Sequence, residues 1–95
     1  MKNLIFLESN ATLLEEMKSG AENHGGFRVL YAGDDGEEGV KCAEKTSPDL
    51  IVVGMFLKGC DGCGVIREIK KRGLRTKIVA TGVASDSVME RSIKE

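Results

Sequence analysis

Four short, mostly apolar runs alternate with charged segments along this chain. They are Leu4 to Leu7, Phe27 to Ala32, Leu50 to Val53 and Lys77 to Thr81. The first and third runs contain no polar residue, which is typical of strands buried on both faces of a parallel sheet. Arg28 interrupts the second run and indicates an edge strand. The pattern therefore predicts four strands, two of them central.

Between and after the runs, apolar residues recur at the spacing of amphipathic helices. Polar residues that can cap a helix precede each segment, and glycine or proline follows the first three. The expected caps are Ser9 or Asn10, Asp34 or Asp35, Asp61, and Ser85 or Asp86. The predicted order is βαβαβαβα, which favours a three-layer α/β fold with right-handed crossovers.

Length and composition limit the functional classes. Ninety-five residues suffice for one domain, and 41% hydrophobic with 31% charged residues is ordinary for a globular protein. Fourteen basic and 15 acidic residues nearly balance, so we expect no nucleic-acid binding. No apolar run is long enough to cross a bilayer, so we expect no membrane association. Three cysteines without a secretion signal favour the reducing cytoplasm.

The segment Pro48 to Gly62 carries the most specific pattern in the chain. It consists of a Pro-Asp pair, four apolar residues, a glycine, a loop and a final Asp-Gly pair. This arrangement resembles the third strand and following loop of a response-regulator receiver domain, the CheY-like family. Two positions depart from the family pattern: Gly54 stands where the phosphoacceptor aspartate is expected, and Lys58 where proline is usual.

The resemblance covers residues 1–95 as one receiver-like domain. It implies a flavodoxin/CheY-like parallel sheet of order 2-1-3-4 with helices on both faces. The family continues through a fifth strand and helix, so we expect a fold truncated after helix four. The strand from Lys77 to Thr81 would then lie at an edge. This predicts a homodimer through strand four or helix four.

The resemblance also implies a phosphorylation pocket at the carboxyl ends of the strands. Glu8 and Ser9 fall on the acidic pair that binds a cation, Gly54 on the nucleophile and Thr81 on the phosphoryl-contacting hydroxyl. The lysine after strand five has no counterpart. A single carboxylate is a poor magnesium site, so we expect a degenerate pocket without metal or cofactor. Read without the resemblance, Glu8 is better interpreted as a solvated loop carboxylate and Thr81 as an ordinary strand end.

Cys60 and Cys63 form a C-x-x-C motif at a helix start, where thiols can acquire redox or metal-binding activity. Two ligands are too few for structural zinc. The favoured interpretation is packing, with Cys63 as a small buried hydrophobe; a functional dithiol remains the alternative.

The sequence favours a non-enzymatic receiver-like domain that lacks the phosphoacceptor and binds a signalling protein independently of phosphorylation. One alternative is a fragment of a larger response regulator, of transcriptional or sporulation type. The other is an α/β protein using Cys60 and Cys63 for redox or metal chemistry.

Overall fold

The computed structural model describes residues 1–81, which form a four-stranded parallel sheet and three helices. The four predicted strands are confirmed to within two residues at each end, and the first three predicted helices are confirmed between their expected caps and the glycine or proline that follows. The predicted fourth helix lies outside the described residues. In chain order the elements are β1 (Lys2–Leu7), α1 (Ala11–His24), β2 (Phe27–Gly33), α2 (Gly36–Thr46), β3 (Leu50–Val53), α3 (Gly62–Lys71) and β4 (Lys77–Ala80).

Each helix begins at a side-chain cap. The caps are Asn10, Asp35 and Asp61, and each accepts a hydrogen bond from the backbone N–H three residues on, at 3.0, 3.1 and 2.8 Å. These bonds satisfy donors that the first helical turn leaves without an intrahelical partner. None of the helices formed by residues 1–81 is long and apolar enough to span a membrane.

The strand order is β2-β1-β3-β4, which confirms the expected order 2-1-3-4. The crossover from β1 to β2 runs in the opposite direction across the sheet to the crossovers that lead to β3 and β4. Because parallel crossovers share one handedness, α1 lies on one face and α2 and α3 on the other.

The core lies between the sheet and the pair α2 and α3. Four strand residues, Ile5, Leu7, Ile51 and Val53, are fully buried there. They pack in one cluster with four helical residues, Val40, Ala43, Val65 and Ile69. Central strands buried in this way account for the unbroken apolar runs of the sequence.

The face that carries α1 is less completely covered. Leu4 and Phe6 are 3% and 5% exposed, but α1 itself contains no buried residue. The β1–β3–β4 register places Phe6, Val52 and Val79 in one row, and Val79 is 46% exposed. Within residues 1–81, cover on this face therefore decreases from β1 towards β4.

The loop after β3 packs tightly against the start of α2. The N–H of Gly36 donates to the carbonyl of Lys58 at 2.9 Å. A Cβ atom at Gly36 would lie only 1.8 Å from the carbonyl oxygen of Cys60. Only glycine permits this close approach of the two backbone segments.

We expect Gly36→Ala to lower the free energy of unfolding by about 1–3 kcal/mol, because the β3–α3 loop must move away from α2. Urea denaturation of the two proteins measures the difference. Gly20→Ala is the matched control, because Gly20 lies in α1 with no atom within 4 Å of its added Cβ. The control should gain about 0.5–1 kcal/mol, and an equal loss in both variants would contradict the packing argument.

Candidate functional site at the carboxyl edge of the sheet

Glu8, Gly54 and Thr81 lie together where β1, β3 and β4 end. The N–H of Gly54 donates to the Leu7 carbonyl at 2.7 Å, and the N–H of Thr81 donates to the Val53 carbonyl at 2.8 Å. These bonds continue the parallel ladders by one residue beyond the strands. Three of the four predicted pocket residues are therefore brought to one place.

The Glu8 side chain bridges two elements across this edge. Its Oε2 accepts a hydrogen bond from the N–H of Asn10 at 3.0 Å, and its Oε1 accepts one from the hydroxyl of Thr81 at 3.5 Å. Glu8 is half-buried. The Glu8 side chain thus turns towards the end of β4 instead of projecting freely into solvent, and it joins the end of β1 to the end of β4.

The Glu8 carboxylate occupies space beside Gly54. A Cβ atom on Gly54 would lie 2.9 Å from Glu8 Oε1 and 3.2 Å from the backbone oxygen of Leu7. A distance of 2.9 Å is shorter than a Cβ atom normally tolerates, so any side chain at position 54 requires Glu8 to move. Gly54 thus leaves room for the inward position of the Glu8 carboxylate.

Thr81 lies within the site, whereas Ser9 lies outside it. Ser9 is exposed on the turn before α1, whereas Thr81 is half-buried. The Thr81 hydroxyl lies 3.5 Å from both the Glu8 carboxylate and the Val53 carbonyl, so its single proton is shared between two acceptors at long distance.

The donor set does not fit a magnesium ion. Magnesium requires octahedral oxygen ligands, commonly including one or two carboxylates. Glu8 supplies the only carboxylate among the three clustered residues, and both of its oxygens accept protein hydrogen bonds. Nowhere in residues 1–81 do three or more His, Cys, Asp or Glu side chains cluster in a way that could hold a metal ion.

A second contact at this edge was not foreseen from the sequence. Lys58 donates its backbone N–H to the Asp34 carbonyl at 2.8 Å, and its Nζ lies 3.5 Å from Asp34 Oδ2. Position 58 is where the family pattern usually has proline, which has no N–H to donate. The departure from proline was the available signal, and the structure shows that the lysine N–H ties the β3–α3 loop to the β2–α2 turn.

The two cysteines of the C-x-x-C motif have different environments. Both are half-buried, but only Cys60 of the two packs against the core cluster. Cys60 therefore contributes to core packing, and the burial expected of Cys63 is only partial. Burial raises the pKa of the Cys60 thiol, and the carboxylates of Asp61, Glu68 and Glu37 raise it further. A raised pKa keeps the thiol protonated and poorly nucleophilic at neutral pH.

Comparison with known proteins agrees with this architecture. Residues 4–95 match the family described as the response regulator receiver domain. One curated relative is the probable C4-dicarboxylate response regulator DctR of Priestia megaterium, 28% identical over 90 residues that cover 95% of this chain. The match covers 40% of that relative and 37% of the DctR of Bacillus subtilis, so the chain spans less than half the length of these relatives.

Solved structures share the fold. A DNA-binding response regulator of the LuxR family from Staphylococcus aureus superposes with a TM-score of 0.87 at 24% identity, over 99% of this chain and 79% of that one. The receiver domain of the sensor histidine kinase PA1611 from Pseudomonas aeruginosa, crystallised with a magnesium ion in its active-site cleft, gives 0.73 at 27% identity, over 94% and 74%. With the family match across nearly its whole length and the strand order of its sheet, this chain belongs to the response regulator receiver domain family of two-component signalling.

Proposed function

We propose that this receiver domain does not accept a phosphoryl group and instead serves as a phosphorylation-independent protein-interaction module. The observation that carries the proposal is the end of β3, where Gly54 offers no side chain and the Glu8 carboxylate lies 2.9 Å from the position of the missing Cβ.

The chemistry of phosphoryl transfer supports this proposal. A receiving side chain must present an oxygen nucleophile, and cations must spread the charge that develops on the transferred group. Glycine has no nucleophile, and Glu8 is the only carboxylate among the clustered residues. We therefore propose no catalytic residue, no metal and no cofactor, with Glu8, Ser9, Gly54 and Thr81 as remnants of a phosphorylation pocket.

A signalling protein is the proposed partner, and the cytoplasm the proposed location. The near-neutral net charge of −1 gives no support for nucleic-acid binding by this chain. Because the curated relatives extend well beyond the matched region, the alternative that these 95 residues belong to a larger response regulator is equally compatible with the pocket.

A redox or metal function for Cys60 and Cys63 has less support. The carboxylates around Cys60 oppose the thiolate that either chemistry requires.

Self-association through β4 is a further part of the proposal. The N–H groups of Lys77 and Thr81 donate towards β3, so the intervening Ile78 and Ala80 direct their N–H and C=O groups to the outer edge. No strand within residues 1–81 pairs with that edge. An open groove of about 500 Å³ beside it is lined in part by Ile69, Leu74 and Ile78. We propose a two-fold dimer in which β4 pairs antiparallel with its copy.

The main test is phosphorylation by acetyl phosphate with Mg²⁺, measured by intact mass spectrometry. We expect no gain of a phosphoryl group, because the end of β3 carries no nucleophile. Gly54→Asp should also remain unlabelled, since the new Cβ would meet Glu8 Oε1 at 2.9 Å and the cation site is incomplete. Gly54→Asp combined with Glu8→Ala removes the contact with Glu8 but also the only carboxylate among the clustered residues, so this variant should remain unlabelled as well. Labelling of the unaltered protein would refute the proposal.

The pH dependence of stability tests whether Cys60 is a packed, protonated thiol or a thiolate suited to redox chemistry. The raised Cys60 pKa means that the folded state holds the thiol proton more tightly than the unfolded state. Its stabilising contribution is complete below the ordinary value of 9.0 and is lost as the pH rises through the folded pKa. The free energy of unfolding should therefore fall above pH 9 more steeply in the unaltered protein than in Cys60→Ala. Identical pH profiles would contradict this assignment, and Cys63→Ala serves as the matched control.

The dimer prediction is tested by sedimentation equilibrium over a dilution series. We expect the molar mass to approach that of two chains at high concentration. Ala80→Pro should favour the monomer, because proline removes an outward N–H without removing a bond to β3, whereas Ala80→Ser retains that N–H and should dimerise. A monomer at high micromolar concentration with slow amide exchange at Ile78 and Ala80 would exclude the dimer.

A further inference from the structure

Exposed cations gather at the edge of the sheet where the strands begin. In a parallel fold with alternating helices, each helix ends at the edge where the next strand starts, so strand starts and helix ends share this edge. Six exposed cations lie there, and we call them the basic edge: Lys2, Arg28, Lys45, Lys71, Arg75 and Lys77.

Helix dipoles account for only part of the basic edge. Lys45 and Lys71 lie in the last turns of α2 and α3, where a positive charge is favourable. Lys2, Arg28 and Lys77, however, lie on strands, where no helix terminus explains them.

The basic edge is not neutralised within the described part of the chain. The salt bridges of residues 1–81 use Lys41, Lys58 and Arg72, none of which belongs to the basic edge. The carboxylates near this edge include Asp49, beside the strand starts, and Glu22 and Glu44, in the last turns of α1 and α2. Glu44 is paired with Arg72, so Asp49 and Glu22 offset only part of the charge of the six cations. The edge therefore keeps a local positive charge in a chain whose net charge is −1.

Carboxylates gather at the opposite edge, where the strands end and the helices begin. We call Asp34, Asp35, Glu37, Glu38 and Asp61 the acidic edge. Glu37, Glu38 and Asp61 are exposed. Lys58 Nζ lies 3.5 Å from Asp34 Oδ2 and Lys41 Nζ lies 3.9 Å from Glu38 Oε1, so two of the five carboxylates are partly offset within residues 1–81. One molecule thus presents two surfaces of opposite charge at opposite ends of its strands.

We propose that the acidic edge of one copy docks on the basic edge of a second copy, head to tail. Electrostatic complementarity is the argument for this occupant, since both charged surfaces are present on the same chain. Such a contact is heterologous and does not close, so it adds copies in a row and is distinct from the two-fold contact through β4. A polyanion such as DNA fits less well, because the whole chain is slightly acidic and Asp49 lies among the cations.

The test is sedimentation velocity of the unaltered protein at about 0.05 M and about 0.5 M NaCl, where the screening length shortens severalfold. At low salt we expect species larger than those present at high salt. The association constant at low salt should be at least tenfold greater than at high salt. The β4 dimer rests on backbone pairing and should persist at high salt, which distinguishes the two contacts. Association that does not change with salt would overturn the head-to-tail contact.

Charge-reversed variants locate the contact. Lys2→Glu/Lys77→Glu alters the basic edge, and Glu37→Lys/Glu38→Lys alters the acidic edge. Each alone should lose the salt-dependent association, and mixing them should restore it, because one retains the acidic edge and the other the basic edge. Lys18→Glu/Arg67→Glu changes the net charge as the first variant does, at helical positions away from either edge, and should still associate.

The proposal would be overturned if Lys18→Glu/Arg67→Glu lost the salt-dependent association as fully as the two edge variants do. It would also be overturned if the mixture of the two edge variants failed to associate. A fluorescent DNA duplex tests the competing occupant. Binding of the duplex that is lost in Lys2→Glu/Lys77→Glu, without low-salt self-association of the unaltered protein, would assign the basic edge to phosphate and also overturn it.

Discussion

Burial of the two central strands against α2 and α3 is the constraint on which the rest of the structure depends. Ile5, Leu7, Ile51 and Val53 are fully buried there, while on the other face Leu4 and Phe6 are buried and Val52 is half-buried. A slip of one residue would turn each of these side chains to the opposite face, so the register is strongly determined. The fixed register aligns the carboxyl ends of the strands at one edge of the sheet. Core packing therefore brings the residues of the site together at that edge.

With the register fixed, the residues that follow the strands are positioned by contacts with one another. Gly54 leaves room beside the end of β1, and the Glu8 carboxylate lies in that room while its oxygens bond to Asn10 and Thr81. Nearby, the backbone of Lys58 ties the β3–α3 loop to the β2–α2 turn. The carboxyl edge is therefore organised by contacts between residues of this chain.

The same parallel topology explains why charge separates along the molecule. Each of the three helices in residues 1–81 starts at the carboxyl edge and ends at the amino edge, so caps such as Asp35 and Asp61 collect at one end and cations such as Lys45 at the other. The cations on β1, β2 and β4 then add to the amino edge. Within residues 1–81, charge is therefore distributed unevenly between the two edges of the sheet, which the near-zero net charge of the chain does not reveal.

The local sequence pattern determined the strands and helices of this protein, because apolar periodicity, helix caps and terminating glycines act over a few residues. The order 2-1-3-4 followed from the family resemblance, as did the positions of Glu8, Gly54 and Thr81. Tertiary structure alone decided that Glu8 turns inward, that Ser9 stays outside and that Cys60 packs against the core cluster. The physical reason is distance along the chain: the Glu8–Thr81 contact joins residues 73 positions apart, and no local pattern encodes which groups such folding brings together.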